Sequence, residues 1–231
     1  MSLKKNIKEL TLGIKFARTF RIPDIAGEII DDILYSSKSP FESRFEQLEE
    51  SNLREKRLLT SKLLSNGKPE YLLINTENII LSIDTEGKFM STYSWLKGDV
   101  FSFFSYLFLK YKIKNINRIG IVFSHSMELK NISNIIEVLT KNEVLDINNL
   151  KINFSKKYVA EQSLYRKDLS DYKNAIFSFE QKESIYIASL DFQYFFDPVI
   201  EDIRDCFSDR IFTDAHSFLS EKFYKWVEQY E

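Results

Sequence analysis

Two segments of this chain return at one displacement. Gly13-Ile14-Lys15-Phe16 reappears as Gly120-Ile121-Val122-Phe123, and Ile80-Leu81-Ser82-Ile83-Asp84 reappears as Ile187-Ala188-Ser189-Leu190-Asp191. The steps 120−13 and 191−84 both equal 107, and Ile25 and Ile29 map onto Ile132 and Ile136 at the same step. A chain that repeats at about half its length is expected to fold as two copies of one design. The expectation is a first half over 1–113 and a second over 114–231. They would pack as one globular unit about a pseudo-twofold axis, with a seam between them.

The local patterns fill in each half. Leu10, Leu12, Ile14 and Phe16 alternate with polar residues, as in a half-buried strand. Pro23 suits a first helical turn, and Ala26, Ile29, Ile30, Ile33 and Leu34 form an apolar stripe behind it. Phe41, Phe45 and Leu48 fall at helical spacing amid charges, which predicts a short surface helix. Strands are expected at about 56–65, 70–75 and 78–84. A helix should start at Gly98-Asp99 and carry Val100, Phe103, Phe104, Leu107 and Phe108 inward.

The second half repeats the order: a strand at 118–124, a helix at 131–141, a strand around 150–158 and a hairpin from 176 to 192. A short helix is read at Asp197-Pro198, and a final helix is capped near Ser208. Each half therefore reads strand, helix, three strands, helix. The fold class is α+β with a mainly antiparallel sheet.

Composition narrows the function classes. Hydrophobic residues make up 44% of the 231, with 20 Phe and 12 Tyr, which suits a well-filled core. The 32 basic and 34 acidic residues leave a net charge of −2. That balance argues against nucleic acid as the main partner. The single cysteine, Cys206, excludes an internal disulfide or a cysteine metal cluster and fits a reducing, cytoplasmic compartment. No apolar run reaches the roughly 18 residues that span a bilayer, and no signal peptide is evident, so no membrane is expected.

Catalytic signatures are sparse. There is no Gly-rich phosphate loop, no zinc helix and no nucleophile elbow, and two histidines cannot build a histidine-rich metal site. No metal and no cofactor are expected. Glu180-Gln181-Lys182, with Asp171 upstream, fits a magnesium-dependent nuclease of the restriction-endonuclease-like type. There two carboxylates hold the ion and the lysine activates water. Hairpin-end polarity explains the same residues.

His125, after a strand, reads as a solvated loop residue. His216 could serve as an acid–base group facing the seam, or as a boundary histidine satisfied by a neighbour. Asp84 and Asp191, as repeat mates, could meet as an acidic pair, or each could close its own strand with a turn. Lys151, Lys156, Lys157, Arg166 and Lys167, with Tyr158 and Tyr165, could hold a single strand of nucleic acid. They also describe an edge strand protected by lysines.

Tyr93-Ser94-Trp95, Asn117-Arg118-Ile119-Gly120, Leu190-Asp191 and His216 with Phe223 together form a recognisable set. On them the chain resembles a sporadically distributed family of uncharacterised bacterial proteins of about this length. In that family the mid-chain strand usually reads Arg-Ile-Gly-Leu-Arg-Tyr; here it reads Arg-Ile-Gly-Ile-Val-Phe, lacking the second Arg and the Tyr. The resemblance covers most of the chain and implies no activity. The expectation is a non-enzymatic binding or interaction protein acting through the seam or a sheet face. Its partner would be another protein or a second copy of the chain. Tyr93, Trp95, Asp84, Asp191 and Arg118 are the candidate contact residues. The alternatives are the nuclease and a nucleic-acid-binding saddle.

Overall fold

A computed structural model describes residues 7–42, 44–52, 55–64, 67–127, 151–159, 170–182 and 185–228. Nine strands form one antiparallel sheet: β1 (Ile7–Phe16), β2 (Gln47–Asn52), β3 (Glu55–Leu63), β4 (Pro69–Asn75), β5 (Asn78–Asp84), β6 (Ile116–Met127), β7 (Lys151–Val159), β8 (Tyr172–Lys182) and β9 (Ile185–Ile200). Their order across the sheet is β2-β3-β4-β5-β1-β6-β9-β8-β7. The α+β class and the antiparallel sheet are as the sequence predicts. The helix expected at 131–141 lies outside the described residues.

Alternation decides which face of each strand is covered. In β1, Leu10, Leu12, Ile14 and Phe16 are buried, while Thr11, Gly13 and Lys15 face the other way. The described helices lie against that buried face. Helix α1 (Arg21–Tyr35) presents Ile22, Ala26, Ile29 and Ile33 to the core. Helix α2 (Phe89–Trp95) runs through a π-turn (Leu96–Val100) into α3 (Phe101–Lys110). Helix α4 (Ser208–Phe218) runs through another π-turn (Leu219–Phe223) into α5 (Tyr224–Val227).

The second π-turn follows from the sequence. Ile211, Ala215, Leu219, Phe223 and Val227 repeat strictly every four residues and are all buried. In an α-helix each such step drifts about 40°, roughly 160° over the run. The wider π-turn returns the stripe to the sheet.

Four local expectations change. Residues 47–52 form β2 rather than the tail of a surface helix, because Leu48 pairs with Leu58 on the strand beside it. The helix ahead of Phe101 begins at Phe89, ten residues before the expected Asp99 cap. Asp197-Pro198, with a cis peptide bond, continues β9 instead of opening a helix. His125 is a fully buried residue of β6, opposite Ala188 of β9, and not a loop residue.

Candidate functional site

The face of the sheet turned away from the described helices is built from the alternate residues of every strand. At its middle, Gly13 of β1 lies directly opposite Gly120 of β6. Outward from this pair, one row reads Ile80, Leu73 and Arg57 on one side. On the other side it reads Gln193, Asn174 and Lys157.

Neither glycine is required by the fold. Neither has a positive φ, and a Cβ on Gly13 would come no closer than 3.8 Å to Ile80. On Gly120 it would come no closer than 3.8 Å to the Asp191 carboxylate. Glycine inside a strand costs about 0.5–1 kcal/mol relative to alanine. It is found where a ligand or another backbone comes close.

Next to the glycines, Lys15 lies opposite Arg118. Like charges in register weaken a strand pair. Lys15 reaches Glu77 only at 3.9 Å. The Arg118 guanidinium lies over the Phe195 ring at 5.7 Å. Phe195 stacks on Tyr172 of the next strand, with centroids 4.5 Å apart and planes 8° from parallel. The Lys157 ammonium caps that stack, 3.8 Å from the Tyr172 centroid. Cation, two rings and cation thus follow one another across four strands.

The expected contact residues separate into three places. Arg118 and Asp191 lie on this face, which also carries the buried side chains of Leu73 and Gln193. Asp191 accepts a hydrogen bond from Gln193 at 2.6 Å, and burial raises its pKa above the ordinary carboxylate range. Asp84 ends β5, where its carboxylate accepts the Glu86 N–H. It shares a cavity of about 330 Å³ with Trp95, Arg44, Lys62 and Lys88. Arg44 stacks over Trp95 at 5.3 Å and pairs with Glu70 at 2.9 Å, and Lys62 pairs with Glu86, so the cavity's charges are largely compensated.

Tyr93 is buried in the core, where its hydroxyl donates to the Phe212 carbonyl and burial pushes its pKa up. It offers no surface contact. His216 packs on α2: its ring stacks on Phe89 at 6.3 Å and lies 5.8 Å from Tyr93.

Asp84 and Asp191 occupy different places in their strands. Asp84 lies opposite Glu9 at a strand end, whereas Asp191 lies opposite Val122 in the middle of β9. Three strand steps, roughly 14 Å, separate their strands, so no acidic pair forms. The nuclease set does not converge either. Asp171 and Glu180 are nine residues apart along one extended strand, roughly 30 Å, and an odd separation puts them on opposite faces. Asp171 is buried, accepting from the Tyr194 hydroxyl at 3.1 Å and the Asp197 N–H at 2.8 Å. Glu180 pairs with Lys151 at 3.6 Å. Lys182 ends β8. Among the described residues no cluster of three His, Cys, Asp or Glu could hold a metal ion. Cys206 is buried, and burial raises its thiol pKa.

Sequence reasoning missed Glu70, Tyr71, Tyr172 and Phe195. Glu70 had a readable signal: it occupies an inward position in the alternation Glu70, Leu72, Ile74. The open-face aromatics gave none, because strands use aromatics on either face. Among the described residues no helix is long and apolar enough to cross a membrane. Neither a family model nor a curated protein matches the chain.

Proposed function

We propose that this is a duplicated, non-enzymatic binding protein whose working surface is the face of the sheet turned away from the described helices, centred on Gly13 and Gly120. The glycine pair carries the reading. The molecule accepts a local cost at its middle that nothing within the fold demands, and close approach of a ligand accounts for it.

Several features support the duplication. The strand order outward from the central pair is β1-β5-β4-β3 on one side and β6-β9-β8-β7 on the other. Stepping from Gly13 over Gly120, Ile80 corresponds to Gln193, Leu73 to Asn174 and Arg57 to Lys157. The same stepping matches Tyr71 with Tyr172, Glu70 with Asp171, and Asp84 with Asp197.

The matched residues behave alike. Arg57 lies over Tyr71 at 5.8 Å, as Lys157 lies over Tyr172. The buried Glu70 accepts the Asp84 N–H at 2.8 Å, as the buried Asp171 accepts the Asp197 N–H. The two π-turns start at Leu96 and Leu219, a displacement of 123 (219−96). At that displacement Phe89 matches Phe212 and Tyr93 matches His216. Phe89 touches His216, and Tyr93 touches Phe212 at 5.7 Å. Such reciprocal contacts are what a twofold interface makes.

A Gly13→Val/Gly120→Val double variant tests the reading, since its added methyl groups project from the open face and leave the core untouched. The expectation is a melting temperature no lower than the wild type, with loss of whatever ligand the wild type retains when purified from its host. A variant that keeps the ligand overturns the reading, and so does turnover of any substrate by the wild type.

A further inference from the structure

We infer that the outer edge of β2 takes up an extended basic segment of a partner protein as an added strand. An apolar residue of the segment packs on Leu48 in the cavity beside β2, and the basic residues two positions to either side meet Glu46 and Glu50. The site lies at the end of the sheet, four strand steps from β1 and its glycine, and goes beyond the binding face proposed above.

The edge itself calls for a strand. β2 is the last strand on its side, and Gln47, Leu48, Glu49 and Glu50 are all exposed. A strand bonded along one side only leaves a row of N–H and C=O groups along the other, and an extended backbone satisfies them together. Beside that edge, between β2 and the end of α1, lies a cavity of about 800 Å³. Leu34, Phe45, Leu48 and Leu58 supply its apolar lining. Leu48 is 48% exposed and Tyr35, which also lines the cavity, is 79% exposed. Charged side chains alone would protect a bare edge; they do not account for apolar side chains left half uncovered beside it.

Charge selects the occupant. Glu42 and Glu46 line the cavity, and among the described residues that line it none is a cation. Glu46 accepts a hydrogen bond from the Ser61 hydroxyl at 2.9 Å, which leaves its charge in place. Glu50 pairs with Lys56. Alternation puts Glu46, Leu48 and Glu50 on one face, a row that reads acid, apolar, acid. The complementary row on an added strand reads base, apolar, base. Two β2 edges brought together would set glutamates against glutamates, so a second copy of this edge is disfavoured.

The test is fluorescence anisotropy on the full chain with a labelled nonapeptide: a central phenylalanine, lysines two residues to either side, threonine elsewhere. Saturable binding is expected, in the weak range that suits a small interface. Glu46→Gln/Glu50→Gln should weaken it by about 2- to 30-fold, the effect of two exposed ion pairs. Leu48→Ser should weaken it by about 3- to 13-fold, half the transfer effect of a leucine, with the melting temperature serving as the check on folding. The peptide is also made with alternate amides N-methylated, in two complementary sets. One set should abolish binding and the other preserve it, because only alternate N–H groups of an added strand face β2. Equal effects of the two sets overturn the inference, as does equal binding of a peptide with glutamate in place of lysine, or a Leu48→Ser variant that binds like the wild type. No saturable binding up to about 1 mM overturns it too. A wild-type mass that grows with protein concentration and returns to the monomer in Lys156→Glu/Lys157→Glu would put the β7 edge of a second copy on β2, and the inference of a separate partner falls.

Discussion

The two sides of the sheet share a frame and differ in what they place on it. Beside the central glycines, one side puts Thr11 of β1 next to Ser82 of β5, hydroxyl to hydroxyl at 2.8 Å. The matching places on the other side hold Arg118 and Phe195, a cation over a ring. Beyond them lie Tyr71 and Tyr172. The first side satisfies its polar groups internally. The second leaves a cation and a stacked pair of rings facing outward. Matched frames with unmatched chemistry separate what holds the molecule together from what it presents to a ligand. The buried carboxylates belong to the frame, and the Arg118–Phe195–Tyr172–Lys157 row has no counterpart across the glycine pair.

The comparison breaks first, if it breaks, at the helix junction. Phe89→Ala and Phe212→Ala should each cost about 3–5 kcal/mol in chemical denaturation, because each empties the same kind of core site. A difference of more than a factor of two would show that the contacts are not reciprocal. Glu70→Ala should cost about 3 kcal/mol, since it strands the Arg44 guanidinium as well as a buried N–H. Asp171→Ala should cost about 2 kcal/mol, leaving the Asp197 N–H and the Tyr194 hydroxyl without their acceptor. The order of the two variants is the test, because Glu70 holds the Arg44 guanidinium as well as a backbone N–H.

Tyr93→Phe removes one hydrogen bond and should cost about 1 kcal/mol. The smallest effects have the opposite sign. Gly13→Ala and Gly120→Ala should each stabilise the isolated protein by about 0.5–1 kcal/mol, read as a rise in melting temperature. Destabilisation by either would show that the fold itself requires the glycine.

Asp191 gives a pH test. Its folded pKa is raised, so its favourable contribution is present below the ordinary Asp value, about 3.9, and is lost as pH rises through the elevated folded value. At neutral pH the ionised group is a net cost. Asp191→Asn should therefore raise stability at pH 7 and flatten its decline on leaving acid.

The sequence shows the α+β class, the strands with clean alternation such as β1, and the glycine pair. It also shows β7 as an edge strand carrying lysines. These follow from local period and composition. On the proposed duplication the displacement between halves is not constant, and that hid the rest. It is 107 from β1 to β6, 101 from β4 to β8 and 113 from β5 to β9. A gapless comparison therefore finds Gly13 and Gly120 but pairs Asp84 with Asp191 instead of Asp197. Residues 41–48 misled for another reason. Phe41 and Phe45 are buried, one against Trp95 and both against each other, so their helical spacing reflects core packing and not a helix. The open-face ladder stayed hidden because its members come from β6, β9, β8 and β7, far apart along the chain.

Strand β1 sits at the centre of the sheet, and both its neighbours come from later in the chain. Its two neighbours, β5 and β6, are synthesised roughly 70 and 100 residues later, and loop closures of that length slow folding. Once β5 has docked, the other edge of β1 stays bare until the ribosome delivers β6. An exposed edge with glycine at its middle is a template for another chain. A nascent chain stalled before Ile116 would offer β1 to the β1 of a second stalled chain, Gly13 against Gly13, and the product would be a misassembled dimer of first halves.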